Sequence, residues 1–102
     1  MAKGNKGSAK KTIKPGKNIV TPMVQGIKEQ MMSLMDQGIN EITIDFSGIE
    51  DIDSNGLGLL IAAHNSLRGI NGKLKIKNIS GRINKFMQTT RLDKYFDVNV
   101  QE

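Results

Sequence analysis

Glu50, Asp51, Asp53, Ser54 and Asn55 crowd one short stretch of the chain, and Gly56 and Leu57 follow at once. Carboxylates at that density could hold a cation. Asp51-Ile52-Asp53-Ser54-Asn55-Gly56 matches the opening of a calcium loop, in which alternate side chains supply oxygen ligands. Such a loop needs a bidentate glutamate at its twelfth position, and counting from Asp51 that position is Ala62. A phosphoaspartate centre would gather carboxylates from several strand ends around magnesium, with a lysine in a second loop; here they share one loop. A serine nucleophile would need a base. His64 is the only histidine, ten residues further along the same helix, roughly 15 Å away at about 1.5 Å per residue. That excludes a Ser54–His64 pair within one chain. Gly56 and Gly58 lack the third glycine and the glycine-rich turn of a nucleotide loop, so they more simply let a helix start approach a sheet.

What survives is the Ser54 hydroxyl at the mouth of a helix, where free N–H groups and a partial positive charge collect. As an N-cap it would contribute about 1 kcal/mol. As a phosphoacceptor it would gain nearly two negative charges beside Asp53 and close to Asp51 and Glu50, with helix N–H groups able to hold the phosphate. The fold would survive and a docked partner would be repelled. The residues alone leave cap and switch both open.

The elements that must position this stretch are legible from periodicity. Ile42, Ile44 and Phe46 alternate with Thr43 and Asp45, which predicts a strand over Glu41–Phe46. Leu57, Leu60, Ile61 and Leu67 recur at helical spacing, which predicts a helix from Ser54 to about Leu67. Lys73–Ile79 is a second strand, with Leu74 and Ile76 opposite Lys73, Lys75 and Lys77. Upstream, Thr12-Ile13-Lys14 suggests a short strand stopped by Pro15-Gly16. Thr21-Pro22 then opens a helix, threonine as cap and proline at the first position, that runs to about Gln37 before Gly38. Gly26 inside it suggests a close packing contact, and Met23, Met31, Met32 and Met35 read mainly as core. Downstream, Ser80-Gly81 caps a shorter helix with Ile83, Phe86 and Met87 inward. Leu92, Tyr95 and Phe96 form a last apolar cluster, and Asp97–Val100 a short edge strand. Strands alternating with helices predict an α/β domain with a small mixed, largely parallel sheet. Because both clear strands are one-faced, the helices should pack mainly on one face.

A chain of 102 residues suits one domain, and the absence of cysteine excludes disulfides and thiol catalysis. No apolar run approaches the roughly 18 residues of a membrane span, and the N-terminus lacks the apolar core of a secretory signal, so a cytoplasmic protein is expected. The net charge of +5 is misleading as a sign of nucleic-acid binding. Six lysines and no acid fall within residues 1–17, and the nine remaining basic residues face ten acids. The excess therefore belongs to a lysine- and glycine-rich tail, residues 1–11, expected to be disordered, ahead of a domain spanning 12–102.

Asp53-Ser54-Asn55-Gly56-Leu57-Gly58, preceded by Ile42-Thr43-Ile44-Asp45-Phe46 and followed by an apolar helix, resembles the STAS domains, the anti-sigma factor antagonists and their relatives. Gly72-Lys73-Leu74-Lys75-Ile76, Ile83-Asn84-Lys85-Phe86-Met87 and Thr90-Arg91-Leu92-Asp93-Lys94-Tyr95-Phe96 resemble that family's later strand, closing helix and ending. The resemblance implies that Ser54 is phosphorylated by a serine kinase of the histidine-kinase-like ATPase type, which doubles as an anti-sigma factor and is bound while Ser54 is unmodified. A phosphatase would reset it, and ATP would belong to the kinase. Asp51, Asp53, Asn55, Gly56 and Leu57 would then form the partner-binding surface, with no catalytic residue, cofactor or metal in the chain. The alternative is a constitutive STAS subunit of a signalling, chemotaxis or lipid-transport complex. Two departures stand out. The family usually opens with two strands, and this chain has room for little more than one, which leaves an edge that could pair with a second copy. The loop Gly16-Lys17-Asn18-Ile19-Val20 also lacks the acidic residue usual near the serine.

Overall fold

A computed structural model of the chain describes residues 9–94 and the backbone of 97–100. The elements run β1 (Lys10–Ile13), α1 (Thr21–Asp36), β2 (Glu41–Asp45), α2 (Ser54–Arg68), β3 (Lys73–Ile79), α3 (Gly81–Thr89), a 3-10 turn (Leu92–Lys94) and β4 (Asp97–Val100). The order of elements is as expected. β1 begins at Lys10, two residues before the strand read from the sequence. Most of the lysine-rich tail, together with Tyr95 and Phe96, lies outside the described residues.

The four strands pair in the order β1-β2-β3-β4, and every pair is parallel. Each crossover therefore moves one strand further in the same direction. With the right hand that such crossovers take, the three helices fall on one face of the sheet. Burial follows this layout. Ile42, Ile44, Leu74 and Ile76 are at most 1% exposed beneath the helices. Thr43, Asp45 and Lys75, on the other face, are half-buried, and Lys73 and Lys77 are exposed.

That wet face carries its own fastenings. Glu41 is 8% exposed and lies between Lys75 at 3.2 Å and Lys10 at 3.9 Å, tying β2 to both neighbours. Burial would raise its carboxyl, but the Lys75 hydrogen bond and the surrounding lysines outweigh this and hold it below its usual value. At the end of β2, Asp45 Oδ1 accepts from Asn78 Nδ2 at 3.0 Å, Ser47 Oγ at 2.7 Å and Ser47 N at 2.9 Å. Asn78 reaches it from a left-handed backbone (φ 58) where the β3–β4 register shifts. These bonds favour the ionised form and bring Asp45 from 3.8 to about 2. A carboxyl so lowered stabilises the fold above the unfolded value and ceases to as pH falls through the folded one. Stability should therefore drop between about pH 4 and pH 2, and Asp45→Asn should shallow that drop. Denaturant midpoints at pH 5 and pH 2.5 test this; equal pH dependence in both proteins would refute it.

The methionines divide. Met31 is 2% exposed in the core, Met23 and Met35 pack against it, and Met32 is 51% exposed. Met31, Met32 and Met35 line a groove of about 630 Å³ between α1 and α2, faced across it by Gly58, Ala62 and Ser66. Gly26 has open space where a Cβ would stand, so the close contact expected there is absent. Phe86, expected inward, is 42% exposed: Ile83 and Met87, one turn apart, take the buried face of α3, and a residue beside Met87 points elsewhere.

Candidate functional site

Because all strands run parallel, the loops after β1, β2 and β3 and the N-termini of α1, α2 and α3 meet at one edge of the sheet. The acidic stretch is the middle loop of that edge, and the loop before α1 holds it in place. Ile19 and Ile52 form a parallel bridge, in which Ile19 N donates to Asp51 O at 3.2 Å and Asp53 N donates to Ile19 O at 3.3 Å. Asn18 Oδ1 accepts from Glu50 N at 2.9 Å and Asp51 N at 3.1 Å. The Gly16–Val20 loop thus contributes a scaffold to the acidic loop where an additional carboxylate was looked for.

Asp53, and not Ser54, is the N-cap of α2: its Oδ1 accepts from Gly56 N at 2.8 Å. Its other oxygen accepts from both Thr21 N and Thr21 Oγ1 at 2.8 Å. Thr21 is itself the first residue of α1; the N-cap there is Val20, with no side-chain bond of its own. One carboxylate therefore satisfies the starts of two helices. This corrects the reading of Ser54 and Thr21 as caps. An aspartate accepts with two oxygens where a serine or threonine hydroxyl brings one, so it serves both ends. The bonds to Gly56 and Thr21 lower the Asp53 carboxyl below its ordinary value, so the clasp is ionised at neutral pH. Asn55 Nδ2 donates to Thr21 Oγ1 at 2.9 Å and extends the same network.

Ser54 is left as the first residue of α2, exposed and without a side-chain hydrogen bond among the described residues. Asp51 is also exposed, Leu57 is half-buried, and Gly56 is buried against the bridge. An added Cβ at Gly56 would stand 2.2 Å from Ile19 O and 2.9 Å from the side chains of Ile19 and Ile52. Gly56 is thus the close approach foreseen for this helix start, whereas Gly58 has nothing within 4 Å. His64 sits half-buried further along α2. Among the described residues no three acidic or histidine side chains converge in a metal-binding group, and no helix is long and apolar enough to cross a membrane.

The STAS domain model matches residues 4–102. The chain belongs to the STAS domain family. Among curated proteins, this STAS domain is 25% identical over 75 residues to the anti-sigma-B factor antagonist of Bacillus subtilis, covering 74% of the chain and 68% of that protein. The anti-sigma factor antagonist SpoIIAA in its unphosphorylated form superposes with a TM-score of 0.68 at 21% identity, over 83% of this chain and 78% of that one. The phosphorylated form, from Bacillus, gives 0.69 at 21%, over 87% and 81%. A sulfate transporter family protein from Wolinella succinogenes gives 0.72 at 12%, over 92% and 80%. These structural likenesses establish the STAS fold. The bonds that Asn18 and Thr21 make to the acidic loop had no sequence signal, since each joins residues more than thirty positions apart.

Proposed function

We propose that this STAS domain is a phosphorylation-controlled protein-binding switch. It binds a cognate serine kinase of the histidine-kinase-like ATPase type, acting as an anti-sigma factor, while Ser54 is unmodified, and releases it once Ser54 carries phosphate. The observation that carries this reading is the division of labour at the start of α2. Asp53 does the capping, so the exposed Ser54 hydroxyl has no structural duty that phosphate would break. The kinase supplies ATP and the base. Ser54 Oγ bonds to the γ-phosphorus, the bond to the ADP leaving group breaks, and the hydroxyl proton passes to the kinase. The partial positive charge at the start of α2 favours the new phosphate, while the nearby carboxylates deepen the repulsion of a docked partner. A phosphatase hydrolyses the ester and resets the switch. The chain itself catalyses nothing in this cycle and works in the cytoplasm. A relative that is an anti-sigma factor antagonist, and a neighbour of known phosphorylated and unphosphorylated forms, support the reading.

Incubation with a cognate serine kinase and ATP should place one phosphate on Ser54, read by mass spectrometry. No transfer from an active kinase would end this reading. The likeness to a sulfate transporter family protein supports a second one, a constitutive interaction subunit. Under it, Ser54→Ala and Ser54→Asp would behave alike in partner pull-downs.

A further inference from the structure

The groove between α1 and α2 takes no part in the helix-mouth site: neither Ser54 nor any residue of the acidic loop lines it. Its floor is apolar, formed by the buried Met31, Leu59 and Ala63. Met32 stands on its rim 51% exposed, the most exposed large apolar side chain among the described residues. Lys28 and Asp36 flank it, four residues before and four after on α1. Steps of four keep all three in one row along the helix, with each charged residue about 6 Å from Met32 along the axis. Both are exposed, and neither forms an ion pair among the described residues. The α2 wall of Gly58, Ala62 and Ser66 adds no charge to them. The groove thus carries one cation and one anion, placed symmetrically about an exposed thioether.

We propose that this groove is the contact surface of a homodimer, in which the α1 helices of two copies lie antiparallel about a two-fold axis at Met32. The symmetry of the row selects the occupant. A two-fold contact presents the same patch from both sides, so what stands four residues before the axis meets what stands four residues after it. Lys28 of one copy then lies opposite Asp36 of the other, twice. A parallel arrangement would set lysine against lysine and aspartate against aspartate. At the centre each Met32 enters the groove of the other copy, where unbranched methionines adjust to fill it. Rows made of every fourth residue interdigitate in the commonest class of helix packing. The apolar centre supplies affinity, and the two rim pairs fix register and orientation. The outer strand of the sheet suits a second copy less. β1 has four residues, and self-pairing would crowd Lys10 and Lys11 of both copies onto one short ladder. An interface one helix pair wide is small, so a dissociation constant on the order of 100 µM is expected. Since Ser54 lies outside the groove, dimerisation and the switch are separable.

Sedimentation equilibrium of the full chain tests this. The wild type should pass from monomer to dimer as its concentration rises to about 1 mM, and less completely in high salt. Met32→Ser should weaken the dimer about tenfold. Lys28→Glu and Asp36→Lys, each alone, set like charges opposite each other and should weaken it at least as much. Mixed together, these two variants should form a heterodimer as tight as the wild-type dimer, because the charges of one now complement those of the other. Lys28→Glu with Asp36→Lys in the same chain should likewise restore the homodimer. Neither rescue is open to a misfolded variant. A wild type that stays monomeric at about 1 mM would overturn the proposal. So would a dimer of equal strength in all three single variants, or a loss in the charge variants that their mixture does not rescue.

Discussion

Gly56→Ala is expected to destabilise the domain by about 3 kcal/mol, while Gly58→Ala, two residues later in α2, stabilises it by up to about 1 kcal/mol. In a free helix both substitutions would help. The difference lies in what stands opposite. At Gly56 the new methyl meets the carbonyl oxygen of Ile19 at 2.2 Å. That oxygen is fixed, since it accepts from Asp53 N in the bridge that joins the two loops. No rotamer change relieves a clash with backbone, so either α2 lifts from the bridge or the bridge breaks. Lifting α2 also stretches the Asp53 clasp on α1. At Gly58 the methyl enters open groove. Urea denaturation of the two variants checks both signs. Two stabilised proteins would mean that the helix start is not seated on Ile19.

Ser54→Asp is expected to leave stability nearly unchanged and to weaken kinase binding about a hundredfold, equivalent to about 2.7 kcal/mol. A carboxylate at the first position of a helix is favourable, by about 0.3–1 kcal/mol, and Asp53 keeps its role as cap. On a docked interface the same charge adds to Glu50, Asp51 and Asp53 and must be desolvated opposite a partner built for a hydroxyl. Ser54→Ala should bind like wild type and never dissociate on addition of ATP. Isothermal titration of the three proteins, with thermal melts alongside, reads affinity and folding separately. Equal affinities for Ala and Asp variants would favour the constitutive subunit.

The sequence carried the architecture because the relevant signals are short in range. The alternation over Glu41–Phe46, the helical spacing from Leu57 and the Ser80 cap each declare themselves within one turn or strand. Ser80 does cap α3, its Oγ accepting from Ile83 N at 3.2 Å. The site was legible as a stretch and not as a mechanism of assembly. Asp53 looked like one acid among several because its second partner, Thr21, lies 32 residues earlier. Ser54 looked like the cap because propensity ranks serine and aspartate alike at that place, and only the geometry at Gly56 N decides between adjacent candidates. Phe86 looked buried because hydrophobicity says nothing about which of two neighbours on α3 wins the inner face.

The strand order has a consequence for how this molecule comes into being. Every strand pairs only with its immediate neighbours in sequence, so each crossover closes on the strand made just before it. During synthesis, β1, α1, β2 and α2 can dock as they emerge, and the bridge, the Asp53 clasp and the Ser54 hydroxyl are complete by the end of α2. Arg82 and Phe86 arrive only with α3. The part of the edge that holds Ser54 is thus finished before α3 makes the last crossover.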